Sequence, residues 1–187
     1  MSFTLLGILN SQAAGGGATP TFDLLATEIM TNNSTSTIEF SSIPTDYKHL
    51  HIRARVRFAN SANVNDLAFR INNDTGIVYT EHYARGAGGS ISGNSSSETT
   101  RGILGSTSAA NQDSGIFGSF VIDIANYRGS NKKTVKSWNG VTSSSFMRLT
   151  QHDTVFDRTS AVSSLQFFAG DSGNFDTNTR ISIYGLK

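Results

Sequence analysis

The chain has 187 residues, a formal net charge of +1, no cysteine, and 37% hydrophobic against 16% charged residues. That length fits one domain with its own core. The missing cysteines exclude disulfides and thiolate metal sites, and the near-balanced charge argues against a nucleic-acid-coating protein.

The first twenty residues form an extended arm in this reading. Phe3, Leu5, Leu6, Ile8 and Leu9 make a short apolar segment, and Ala13 to Gly17 make a hinge. Such a segment on a flexible tether needs a surface to cover it, on its own domain or on a neighbouring subunit. Met1 to Asn10 lack the cationic start and long apolar run of a secretory signal. No stretch approaches the ~18 apolar residues of a membrane span, so a soluble protein is expected.

Residues 21–187 read as a single β domain. Strands are predicted at Phe22–Met30, Thr37–Phe40, His49–Phe58, Leu67–Ile71, Ile77–Ala84, Gly102–Gly105, Ile116–Ile124, Lys133–Trp138, Phe146–His152, Ala161–Phe168 and Thr179–Lys187. The segment Arg85–Thr100, rich in glycine and serine, reads as a long exposed loop, and Ser106–Gly115 as another. Asn72 to Gly76 resembles part of a calcium loop but lacks the distal glutamate, so a tight turn is predicted. No helical periodicity stands out. Short strands separated by turn clusters predict an all-β antiparallel sandwich, jelly-roll-like.

The clearest strand is HLHIRARVRF, His49 to Phe58. Leu50, Ile52, Ala54, Val56 and Phe58 alternate with His51, Arg53, Arg55 and Arg57, which gives one apolar and one cationic face. The arginines would then stand about 7 Å apart along the strand. Such a ladder suits carboxylates on a facing subunit or shell, or it is a solvated face that discourages edge pairing. Ile116 to Ile124 carries apolar residues on both sides and predicts burial on both faces.

Catalytic and metal patterns do not emerge. His49 and His51 share a strand face, but no spacing fixes a third metal ligand alongside them, His82 or His152. There is no nucleophile elbow, phosphate loop or dinucleotide fingerprint. No enzyme, cofactor or metal role is therefore expected.

The runs FSSIPTDYKHLHIRARVRF, FRINNDTGIVYTEHY, VIDIANYRGSNKKTV and FFAGDSGNFDTNTRISIYGLK resemble a group of tailed-bacteriophage virion proteins. That group shares an "IP..YKHL.IR" opening, an "FN.DTG.NY..H" segment, an "IDI.DY....K.T" segment and an ending near "LYGIK". The pieces occur in the right order from Phe40 to Lys187, and LLGILNSQAAGGG resembles the group's beginning. Ile71, where the group tends to have asparagine beside phenylalanine, and Leu186 in place of isoleucine are the departures. The resemblance implies a phage virion structural protein and does not itself place it in the particle; the first reading is a capsid decoration or cement protein, a homotrimer on the capsid exterior with the major capsid protein as partner. Phe3, Leu5, Leu6, Ile8, Leu9, Arg53, Arg55 and Arg57 are the candidate contact residues. The alternative is a receptor- or glycan-binding module of a tail fibre, presenting Tyr83 and Trp138 to sugar.

Overall fold

The computed structural model describes residues 22–144 and 146–187; the apolar arm lies outside them. Twelve strands follow in order: β1 (Asp23–Ile29), β2 (Thr37–Phe40), β3 (His49–Val56), β4 (Val64–Ile71), β5 (Tyr79–Ala87), β6 (Ser90–Thr99), β7 (Gly102–Ser108), β8 (Gly118–Ile124), β9 (Lys133–Thr142), β10 (Met147–Phe156), β11 (Leu165–Ala169) and β12 (Arg180–Leu186). They form an eight-stranded sheet, β1-β12-β3-β8-β9-β10-β5-β6, and a four-stranded sheet, β2-β11-β4-β7.

The pairings are antiparallel and nested: β1 with β12, β2 with β11, β3 with β8, β4 with β7. Joined through β12·β3 and β11·β4, they make the two four-stranded sheets of a jelly roll, as the sequence predicts. Two hairpins are added to this framework. β5–β6 interrupts the β4-to-β7 connection and β9–β10 follows β8, and the two pair with each other through β10·β5. One sheet is thereby doubled in width and extends past the other.

The core lies between the sheets. Leu50, Ile52, Ala54 and Val56 of β3 point inward with Phe120, Ile122 and Ile124 of β8, against Leu67, Phe69 and Ile71 of β4 and Leu165 and Phe167 of β11. Each such side chain, fully buried, contributes roughly 1.5–3 kcal/mol. Burial of β8 is one-sided, contrary to the sequence expectation: Val121 is only half covered and Ser119 and Asp123 are exposed. No second layer covers the outer face of its sheet among the described residues.

Three of the four segments that carry the resemblance meet at one end of the sandwich. The Tyr47 ring covers Gly185, where a Cβ would come within 2.3 Å of it. Lys48 N–H donates to Leu186 O at 2.7 Å. The buried Tyr127 hydroxyl donates to Pro44 O, and Tyr127 O accepts from Val162 N–H. These residues close a corner of the fold. The Asn72–Gly76 segment is a tight turn, as predicted: Asn72 and Asn73 adopt φ of 53° and 55°, and Asp74 Oδ1 accepts from Gly76 N–H.

The predicted loop at Arg85–Thr100 is instead mostly strand. β6 pairs with β5 across a two-residue turn, Gly88–Gly89, where Gly88 has φ +58°. Glycine at the first position of a two-residue hairpin turn matches the twist of the flanking strands. β6 lacks apolar alternation because it is a sheet edge that buries little. β7 likewise runs on to Ser108, beyond the predicted Gly105, with a register shift between Leu67 and Ala68 opposite that glycine.

Gly105 has φ +128°, and a Cβ there would sit 1.9 Å from Asn139 Oδ1. Gly105→Ala should therefore cost about 2–4 kcal/mol, from backbone strain together with forced displacement of Asn139. Urea unfolding of the variant checks this, and a loss below about 0.5 kcal/mol would contradict it.

Candidate functional site

The outer face of the eight-stranded sheet is ordered in cross-strand rows. At one level stand Tyr184, His51, Asp123, Lys136, Asp153 and His82, one from each of six neighbouring strands. Asp123, Lys136 and Asp153 alternate in charge along this row. His51 Nδ1 lies 2.6 Å from Asp123 Oδ1, and Lys136 Nζ 3.7 Å from Asp153 Oδ1. Arg53 Nε donates to His51 Nε2 at 2.8 Å, so the imidazole is held on both sides.

The next two rows differ in character from one end to the other. Toward β12 they carry Arg53, Arg55 and Arg180, with Arg180 directly opposite Arg55. These three line one shallow depression with Ser119, Ser182 and Tyr184. The Arg55 guanidinium lies 4.0 Å over the Phe117 ring, and Arg180 Nε donates to Ser182 Oγ at 3.3 Å. Among the described residues none of the three arginines makes an ion pair with a carboxylate.

Toward β6 the same rows are apolar. Leu149 stands between Gly140 and Gly86, with Ile91 next beyond, and Trp138 lies beside Val121. Trp138 is 51% exposed, Met147 53%, Leu149 62% and Ile91 91%. The glycines leave a flat floor on which these side chains project, so one open sheet face carries a cationic region beside an apolar one.

Of the predicted contact residues, Arg53 and Arg55 lie on this face and Arg57 does not. The strand ends at Val56, and Arg57 turns inward with a side chain 5% exposed, 2.8 Å from Asp176 Oδ2. The arginine ladder therefore has two rungs on β3, and its third cation is Arg180 on β12. Phe3, Leu5, Leu6, Ile8 and Leu9 lie outside the described residues. His49 and His51 do not converge: His49 Nδ1 accepts from Asn126 N–H, and His51 faces Asp123. Tyr83 and Trp138 occupy opposite faces of the sheet, since Tyr83 pairs with His152 and Trp138 with Gln151. They cannot serve one sugar site.

The inner face of the added hairpins is polar, for a reason the topology supplies. It meets β7, the edge of the smaller sheet, whose outward backbone groups need partners. Ser137 Oγ donates to Leu104 O at 2.7 Å, Asn139 Nδ2 to Ser106 O at 2.6 Å, and Glu81 Oε2 accepts from Ile103 N–H at 2.9 Å. Ser106 Oγ donates to Asp66 Oδ1 at 2.6 Å and accepts from Arg148 Nη1 at 3.0 Å. Beyond these contacts, Arg85 Nε, Thr150 Oγ1 and His152 Nδ1 are buried with no hydrogen-bond partner among the described residues.

Burial pushes the His152 imidazole down from 6.5 to about 4, with Arg85 pressing the same way and Asp66 and Asp153 opposing. Burial pushes the Glu81 carboxyl up, partly offset by the Ile103 N–H. The unfolded chain therefore binds a proton at residue 152 that the folded chain refuses between pH 6.5 and 4, so stability falls as pH drops through that window. Glu81 contributes the opposite slope. His152→Gln should remove a loss of about 2 kcal/mol between pH 7.5 and pH 5. Urea titrations at the two pH values test this, and identical slopes for variant and wild type would contradict it.

No protein-family model matches the chain, and no curated protein matches it. Among the described residues no group of three or more His, Asp or Glu is arranged to hold a metal ion.

Proposed function

We propose that the protein is a structural subunit of a tailed-phage virion, a decoration protein that seats its open sheet face on the capsid exterior and stabilises the shell. The observation that carries this reading is the grouping of Arg53, Arg55 and Arg180 on an uncovered sheet, without carboxylate partners among the described residues. Like charges on directly opposed residues such as Arg55 and Arg180 destabilise a sheet. An acidic partner surface reverses that cost, and arginine suits it because its planar fork grips carboxylates bidentately.

Trp138, Leu149, Met147 and Ile91 supply apolar contact on the same face. From β12 to β6 that face spans seven strands, about 29 Å at the usual strand spacing, wide enough for half of a standard interface of about 800 Å² per partner. The partner in this reading is the major capsid protein, through an acidic outer surface. Binding that exists only on the assembled shell adds its free energy to the shell and none to free subunits. A homotrimer would multiply modest single contacts into firm attachment. The resemblance of the four segments to phage virion proteins supports a structural role in the virion.

Co-sedimentation tests the reading: purified protein is added to undecorated shells of the phage that encodes it. Saturable binding at a fixed copy number per capsomer, weakened by salt, is expected. Absence of binding at micromolar protein in low salt would overturn it.

A further inference from the structure

The inner face of the added hairpins offers more polar groups than the edge of β7 uses. Ser137, Asn139 and Glu81 satisfy that edge. Left over are Arg85 Nε, Thr150 Oγ1 and His152 Nδ1, all lining one cavity of about 100 Å³. His152 is 6% exposed and Thr150 2%. Glu81 and Ile103 also line a second cavity of about 410 Å³, together with Ser96, Thr99, Thr100 and Arg101, whose Nε is buried with no hydrogen-bond partner among the described residues. Together they form a groove between the edge of the smaller sheet and the β5–β6 hairpin, in the size range of ordinary ligand sites.

We propose that this groove binds a carbohydrate of at least two rings, inserting the vicinal hydroxyls of one ring beside His152, Thr150 and Arg85.

The lining selects that chemistry. Acceptors (Asp66, Glu81) and donors (Arg85, Arg101) line the same groove, and Thr150 and the neutral His152 can act as either. A bare anion meets Asp66 and Glu81, a bare cation meets the arginines, and an apolar ligand leaves the buried donors unpaired at a cost. A hydroxyl donates and accepts at once. Ile103 and Ile77 offer apolar contact to the C–H face of a ring in the larger cavity. The site lies on the face of the sheet opposite Arg53 and Arg55, so it does not depend on shell binding.

The test is full-length protein on an array of bacterial-surface and host glycans, followed by titration calorimetry with the best disaccharide or longer hit. The variants are Arg85→Gln, at the half-buried rim, and Thr150→Val, nearly isosteric, each checked for unchanged circular dichroism. Saccharide binding that falls at least ten-fold in both folded variants is the expected result. No binding to any glycan on the array would overturn the proposal. So would equal affinity in wild type and variants, which would put the sugar elsewhere. An inorganic phosphate titration serves as a control, and phosphate binding at the groove in place of sugar would overturn the proposal as well.

Discussion

Arg57→Met should destabilise the fold by about 3–5 kcal/mol, the usual cost of removing one partner of a buried, hydrogen-bonded charge pair. The guanidinium uses all three nitrogens. Nε pairs with Asp176 Oδ2 at 2.8 Å, Nη1 donates to Asp113 O and Ile116 O at 2.9 and 3.1 Å, and Nη2 donates to Gln112 O at 3.0 Å. It ties the β7–β8 connection to the segment before β12, while its own backbone N–H and C=O both bond the Thr179 hydroxyl. Methionine fills much of the volume but removes the donors that Arg57 supplies to three carbonyls and a carboxylate. Arg57→Lys should recover less than half of the loss, because one ammonium cannot reproduce a planar fork reaching four acceptors. Urea unfolding followed by circular dichroism measures both variants. A loss below about 1 kcal/mol for Arg57→Met would contradict this assignment.

The double variant Arg53→Glu/Arg55→Glu should behave oppositely, folding with a stability change within about 1 kcal/mol and losing shell binding by about 100-fold or more. Both side chains are exposed on an open face, and their intramolecular contacts are a hydrogen bond to His51 and a ring contact with Phe117. Surface interactions of that kind contribute little to folding. Opposed to an acidic partner, each reversal converts attraction into like-charge repulsion, which costs several kcal/mol across an interface. Sedimentation binding curves at two salt concentrations report the effect. Unchanged affinity in the folded double variant would remove the arginines from the interface.

Reading the sequence works where burial is one-sided and ordinary. The alternation in HLHIRARVRF places Leu50, Ile52, Ala54 and Val56 in the core because β3 has the sandwich interior on one side and solvent on the other. It misplaces Arg57, since alternation carries no signal of where a ladder ends and the chain turns inward. β6 was hidden because Ser90–Thr99 has no apolar alternation; Gly88–Gly89 was the available sign of a hairpin.

The added hairpins invert the usual rule, and this hides most of the candidate surface. On β9 and β10 the inward residues include Ser137, Asn139, Thr150, His152 and Thr154, while Trp138, Met147, Leu149 and Val155 face out. Hydrophobic alternation alone would assign these strands to the wrong faces. The physical reason is that their inner side meets a strand edge, which demands hydrogen bonds, and a sequence does not show which strands overlie an edge. Arg180 was missed as the third cation because its partnership with Arg55 is a matter of sheet register across the whole chain. Three of the segments that carry the resemblance close a structural corner through Tyr47, Tyr127 and Gly185, so they report the fold more directly than the proposed binding face.

Cryo-electron microscopy of the virion proposed to carry this chain, with icosahedral averaging of the shell, tests the central claim most directly. The account predicts ordered density on the capsid exterior that fits this jelly roll, with Arg53, Arg55 and Arg180 turned toward acidic side chains of the shell. A bare shell, with the protein found only at the tail or absent from the particle, would contradict it.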